Sequence, residues 1–148
     1  MKIILGADHN GFAMKQELVT ALQRSGYEVI DAGDQNIDPQ DDFPQFAERA
    51  VRLLLADGHP DTRAILICGS GQGMCMAANR FKGIRASLVW EVSEAHAARN
   101  DDDSNVLCLP ARSLQTAEAI QIAEAWLATP FAGAARFKRR IRELDDLG

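Results

Sequence analysis

The sequence predicts a doubly wound α/β fold, a five-stranded parallel sheet with helices on both faces. Three observations predict it. Five short apolar runs alternate with helix-like segments along the 148 residues, and a parallel crossover needs a connection long enough to carry a helix. The third run, Ala64-Ile65-Leu66-Ile67-Cys68, stops abruptly at the alternating glycines Gly69, Gly71 and Gly73. The alanine-rich Met74-Cys75-Met76-Ala77-Ala78-Asn79 then opens a helix, so a strand, a glycine turn and a helix follow one another.

Each element follows from its own pattern. Lys2 to Ala7 reads as the first strand, and Asp8-His9-Asn10-Gly11 as a turn. The next segment places Met14, Leu18 and Leu22 on one helical face and stops at Gly26. Tyr27 to Asp31 is a second strand. The stretch from Gly33 to Asp42 is rich in Asp, Gln and Pro, which makes it a loop. Ala47, Ala50, Val51, Leu54 and Leu55 mark a second amphipathic helix, closed by Gly58. Beyond the glycine turn, Ile84 to Trp90 reads as the fourth strand, Val92 to Arg99 as a helix and Asn105 to Leu109 as the fifth strand. Thr116 to Leu127 is a further helix. The last helix, Ala134 to Leu144, is charged on most faces and offers little apolar surface.

The composition suits one domain over residues 1–148, large enough to bury a core without disulfides or metal. No apolar run approaches the roughly 18 residues of a membrane span. Met1-Lys2 leads directly into a strand, so no signal peptide is expected and the expected location is the cytoplasm. Three cysteines without CxxC spacing point to reduced thiols, and no zinc site is expected. A net charge of −5 disfavours nucleic acid as the main partner. The late cluster Arg136, Lys138, Arg139, Arg140 and Arg142 still suits a small anion, with Arg136 and Arg140 one helical turn apart.

In doubly wound sheets, ligands bind outside the carboxyl ends of the strands where the winding reverses. That rule selects Asp8 and His9 after the first strand, Cys68 to Gly73 after the third, and Arg112 after the fifth. A cysteine ending a strand is usually packing. Here it stands beside a helix start, where positive potential favours a thiolate, and glycines let backbone N–H groups approach a developing anion. Cys68 is therefore the candidate base or nucleophile, while Cys75 and Cys108 read as packing residues. The glycines fit neither a dinucleotide fingerprint, because Met74 stands at the third glycine position, nor a Walker A loop, because no Lys-Ser or Lys-Thr follows. His59, in a Gly-His-Pro turn, and His96, on a short polar helix, read as surface residues. Asp101-Asp102-Asp103 reads as a solvated acidic loop before the fifth strand.

Taken together, Gly6-Ala7-Asp8-His9-Asn10-Gly11, Asp42-Phe43-Pro44, Ile65 to Gly73, Ala77-Ala78-Asn79-Arg80, Gly83-Ile84-Arg85-Ala86, Ser104-Asn105-Val106-Leu107 and Arg136 to Ile141 resemble the ribose-5-phosphate isomerase B family, which includes the galactose-6-phosphate isomerase subunits. The resemblance covers nearly the whole chain. It implies a Rossmann-like three-layer sandwich and a metal-independent aldose–ketose isomerase of a phosphorylated sugar, without cofactor. It also implies a homodimer or homotetramer whose sites are shared between subunits. On matching positions it makes Cys68 the base that moves a proton between C1 and C2. Ser70 and the N–H groups of Gly69, Gly71 and Gly73 hold the enediolate oxygens, His9, Arg112, Arg136 and Arg140 bind phosphate, and Asp8 contacts a sugar hydroxyl.

The chain departs from the family pattern at three places. A His-Asn pair usually precedes the fifth strand, and its histidine helps to open the sugar ring. Asp101 and Asp102 stand there instead, which implies a carboxylate, Asp101, in the ring-opening role, with His96 a few residues earlier as the alternative, and Asp102 against the substrate. Phe43 and Phe46 replace common tyrosines, and Phe137 replaces a histidine. The expected reaction is ribose 5-phosphate to ribulose 5-phosphate. The alternatives are a six-carbon or unphosphorylated sugar, and a non-catalytic homologue that binds a sugar phosphate.

Overall fold

The computed structural model describes residues 1–148. In chain order the elements are β1 (Lys2–Ala7), α1 (Phe12–Arg24), β2 (Glu28–Asp31), α2 (Phe43–Asp57), β3 (Arg63–Cys68), α3 (Gln72–Ala78), β4 (Ala86–Leu88), α4 (Val92–Asp102), β5 (Val106–Pro110), α5 (Thr116–Ala128) and α6 (Ala135–Asp145). The five strands form one parallel sheet in the order β2-β1-β3-β5-β4.

The central strands explain themselves. β3 has every residue buried, as a strand covered on both faces must. Its alternate side chains feed two cores. Ile65 and Ile67 join Ile3, Leu5, Leu107 and Leu109 beneath α1, α4 and α5, around a fully buried Trp126. The indole N–H of Trp126 donates to the Ser104 hydroxyl at 2.7 Å, so the largest core side chain also has its polar atom satisfied. Leu66 and Cys68 face the other way, with Ile4 and Cys108, under α2 and α3. This is the three-layer sandwich expected from the alternation of strands and helices.

Three local differences from the sequence reading have physical causes. β4 is only Ala86–Leu88, because as an edge strand it pairs with β5 alone and the ladder covers just those residues; Trp90 beyond it is 52% exposed. Of the predicted apolar face of α2, Ala47, Ala50, Val51 and Leu54 are buried, but Leu55 is 44% exposed. α4 runs three residues past Arg99, so Asp101 and Asp102 lie in its last turn and not in a loop. Arg99 supports that turn by donating to the Asp103 carboxylate and the Ser104 carbonyl, both at 2.7 Å. Asp103, in the left-handed region at φ 48°, ends the helix.

The winding reverses between β1 and β3, since the chain passes from β1 out to β2 and then back across to β3. The carboxyl ends of these two strands therefore bound the crevice. The Asp8 amide donates to the Ile67 carbonyl at 3.3 Å, which joins the two ends directly. One rim of this crevice is the polar loop of residues 32–42. Buried Lys15 anchors its start by donating to both Asp31 carboxylate oxygens, at 2.8 and 2.9 Å, and to the Asp34 carbonyl at 2.7 Å.

Candidate active site

The site is built from the turn after β3 outward. Cys68 is 5% exposed and ends its strand level with Pro110 of β5. The chain then leaves the sheet through Gly69 and Ser70 and enters α3 from Gly71, whose φ of +74° lies in the left-handed region. A Cβ on Gly71 would also meet Leu88 Cδ1 at 2.4 Å, so the turn needs glycine for both conformation and space. The amide groups of Gly69, Ser70, Gly71 and Gly73 donate to no acceptor within the chain. Only the Gln72 amide is engaged, by the Ser70 hydroxyl at 3.3 Å. Cys68 is thus followed by a row of unengaged donors, an arrangement suited to an oxyanion.

Two side chains close this turn from either side. Arg112 follows β5, and its amide donates to the Gly69 carbonyl at 2.9 Å while the Ala111 amide donates to the Cys68 carbonyl at the same distance. Its guanidinium lies against Gly69, where a Cβ would come within 2.6 Å of Nε. Opposite, the Phe43 ring packs on Gly73, whose hypothetical Cβ would sit 2.7 Å from Cζ. Sequence reasoning placed Phe43 among the resemblance residues and not in the site. Its signal was the Asp42-Phe43-Pro44 run itself, which sets the first turn of α2 against the first turn of α3.

Asp8 and His9 reach the same crevice from β1. Asp8 is buried, and its carboxylate accepts the amides of Asn10 and Gly11 at 3.0 and 3.2 Å, which fixes the turn into α1. Gly11 is required there because a Cβ would meet the Ile67 carbonyl oxygen at 2.6 Å. Asp41, a residue the sequence reading did not single out, holds His9 through both the backbone amide at 2.9 Å and ring Nδ1 at 2.7 Å. That hydrogen bond, aided by the charge of Asp8 and opposed by desolvation, raises the His9 pKa above its usual 6.5.

The remaining candidates lie elsewhere in the chain. Asp101 and Asp102 sit at the amino edge of the sheet, since α4 descends from the end of β4 to the start of β5. The length of β5 separates them from Cys68, about 13 Å or more at roughly 3.3 Å per residue. Asp101 accepts the Asn100 side-chain amide at 2.8 Å. α6 packs against α4; desolvation and the neighbouring Asp101 raise the Asp102 carboxyl above the usual range, while Arg140 of α6 pulls it down. Arg136 and Arg140 are exposed on α6, with the Arg136 guanidinium 4.3 Å from the centre of the Phe137 ring. A cleft of about 580 Å³ at this edge is lined in part by Arg85, Ser87, Asp102, Leu144 and Asp145. One chain therefore assembles Asp8, His9, Cys68 to Gly73 and Arg112, and presents Asp101, Asp102, Arg136 and Arg140 as a separate group.

The other histidines and cysteines stay outside both groups. His59 and His96 are exposed, and His96 Nδ1 pairs with the Thr129 hydroxyl at 2.6 Å. Cys75, half-buried on α3, has its thiol lowered to about 7 by the neighbouring Cys108 thiol, and its sulfur donates to the Ala86 carbonyl at 3.4 Å. Burial pushes the Cys108 thiol well above its usual value.

Known proteins share both sequence and architecture with this chain. The family model described as Ribose/Galactose Isomerase matches residues 3–144. Ribose-5-phosphate isomerase B of Mycolicibacterium paratuberculosis is 38% identical over 141 residues, covering 95% of this chain and 87% of that protein. A ribose 5-phosphate isomerase crystal structure from Thermotoga maritima superposes with a TM-score of 0.92 at 37% identity, covering 99% of this chain and 98% of that one. The Mycoplasma genitalium ribose-5-phosphate isomerase B structure, with bound ribulose-5-phosphate, gives 0.92 at 35% identity and covers 99% and 97% of the two chains.

Proposed function

Because the chain belongs to the ribose/galactose isomerase family, we propose that it interconverts ribose 5-phosphate and ribulose 5-phosphate at the turn after β3. The observation that carries this reading is Cys68 followed by the unengaged amides of Gly69, Ser70, Gly71 and Gly73. Isomerisation removes a proton next to a carbonyl, so it needs a base and fixed donors where negative charge develops. The Cys68 thiolate takes the C2 proton of the open-chain aldose. The carbonyl oxygen becomes an enediolate oxygen held by the turn amides, and the same sulfur returns the proton to C1. Ser70, whose hydroxyl both donates and accepts, carries the proton between O2 and O1.

The other groups position the sugar. Asp8, fixed by two backbone amides, accepts from a sugar hydroxyl, and His9 and Arg112 take the phosphate. Asp101, Asp102, Arg136 and Arg140 come to this site from a second copy of the chain, with Asp101 assisting ring opening, Asp102 against the sugar and the arginines completing the phosphate grip. The exposed state of α6 supports that arrangement: none of its residues is buried, and Leu144 is 50% exposed. Trp90 and Val92, at 52% and 38%, add apolar surface beside the end of β4. The assembly is accordingly a homodimer or a pair of dimers, working in the cytoplasm where its three thiols stay reduced.

The acidic pair supports a second reading, a six-carbon or unphosphorylated sugar, because two carboxylates beside Arg140 reduce the positive charge offered to phosphate. Purified protein assayed on ribose 5-phosphate, a six-carbon aldose 6-phosphate and free ribose separates the readings. The expected result is the highest kcat/KM on ribose 5-phosphate. Turnover only of the other sugars favours the second reading, and binding without any turnover overturns the catalytic assignment.

A further inference from the structure

We propose that Asp41 is a positioning residue for phosphate binding, one that fixes the ring of His9 and keeps it an imidazolium when the ligand arrives. This deepens the proposed function and rests on His9 facing the substrate phosphate. The geometry is specific. One carboxylate oxygen accepts both the His9 main-chain amide and ring Nδ1, at 2.9 and 2.7 Å. The Asp41 side chain is 7% exposed while the His9 side chain remains 31% exposed. The histidine therefore presents its ring outward from a carboxylate that is itself out of solvent.

The chemistry follows from what each atom can do. An ionised carboxylate only accepts, so Nδ1 bonded to Asp41 carries a proton. A phosphate dianion also only accepts, so Nε2 can bind it only when it too is protonated. Both conditions together mean an imidazolium. The charged groups acting on His9 are Asp41 from the loop and Asp8 from the turn after β1, both acidic and both raising its pKa, with desolvation opposing them. A phosphate monoester becomes a dianion above a second pKa of about 6. Imidazolium and dianion coexist between there and the His9 pKa, so raising the latter above 6.5 widens the window upward in pH.

The loop is built to deliver this carboxylate. Its start is clamped by Lys15 through Asp31 and Asp34, and its end runs into α2, where Phe43 rests on Gly73 of the catalytic turn. Asp41 is thus carried between two fixed points, beside the residue it orients.

The test uses the full-length protein, Asp41→Asn and the conservative Asp41→Glu. The His9 imidazole is titrated by nuclear magnetic resonance with and without inorganic phosphate, and kcat and KM on ribose 5-phosphate are measured across pH. In wild type, His9 should titrate above 6.5 and respond to phosphate. In Asp41→Asn its pKa should fall back toward the usual 6.5, with KM at pH 7.5 rising about tenfold and kcat changing by less than about threefold, because the lost contact is to bound phosphate and not to the reacting carbons. Asp41→Glu should recover most of both. An unchanged His9 titration in Asp41→Asn, or a loss confined to kcat, overturns the proposal. If the protein turns over no sugar phosphate, the proposed function fails but the resonance experiment still decides: phosphate sensitivity of His9 that weakens in Asp41→Asn supports the role of Asp41, and its absence refutes it.

Discussion

Replacing Cys68 with alanine is expected to lower kcat on ribose 5-phosphate about a thousandfold, the scale of a lost general base, while KM moves only a few-fold. The split follows from the division of labour in the crevice. In the proposed arrangement the phosphate and hydroxyl contacts belong to His9, Arg112 and Asp8, none of which uses the sulfur, so ground-state binding should survive the substitution. Proton abstraction has no substitute nearby. Asp8 is committed to the amides of Asn10 and Gly11, and Cys75 bonds the Ala86 carbonyl of β4. Folding should be little affected, because the change removes one atom from a buried position and surface charge is untouched; a thermal midpoint within a few degrees of wild type checks this. A variant that kept more than a tenth of wild-type kcat would remove Cys68 from the mechanism.

The second large effect concerns the residues that one chain cannot bring together. Arg140→Ala is expected to raise KM for ribose 5-phosphate about a hundredfold, on the scale of a lost charge-assisted contact of about 3 kcal/mol. If Arg140 serves the site of a second copy, Cys68→Ala and Arg140→Ala subunits should complement one another. A mixed dimer then has one site with both defects and one with neither. Random re-pairing of equal amounts makes half the dimers mixed, so about a quarter of wild-type activity should return for a two-fold symmetric pair. No recovery after verified subunit exchange would place Arg140 outside a shared site. The sign of the acidic pair fits this arrangement: Arg140 lowers the Asp102 carboxyl that burial and Asp101 raise, so losing Arg140 should shift Asp102 further upward.

The fold was legible because its signals are local. The buried run of β3, the glycine stop and the amphipathic faces of α1 and α2 each state their element without help from the rest of the chain. β4 was overread because Ile84 to Trp90 is apolar enough for a strand, yet only tertiary pairing decides how many residues of an edge find a partner. The end of α4 was missed for a related reason: Asp101 and Asp102 are poor helix residues, and Arg99, Asp103 and Ser104 hold that turn through contacts the periodicity does not encode. The rule that ligands gather at strand carboxyl ends selects Cys68, Asp8 and Arg112, which the fold brings to one crevice. It could not select Asp41, since the loop from Gly33 to Asp42 contains several aspartates with equal local claims. What distinguishes Asp41 is the anchoring of that loop by Lys15, a buried ammonium visible only once β2 and α1 are packed together.

The central claim is that the Cys68 sulfur carries the proton across C1 and C2, and isotope exchange in heavy water tests it most directly. Wild-type protein incubated with ribose 5-phosphate in deuterium oxide should place deuterium on the carbon that receives the proton, because a thiol exchanges with solvent during the lifetime of the enediolate. Cys68→Ala, shown by inorganic phosphate binding to keep its crevice, should leave both carbons protiated over the same time. Deuterium entering at the wild-type rate in the alanine variant would contradict the account.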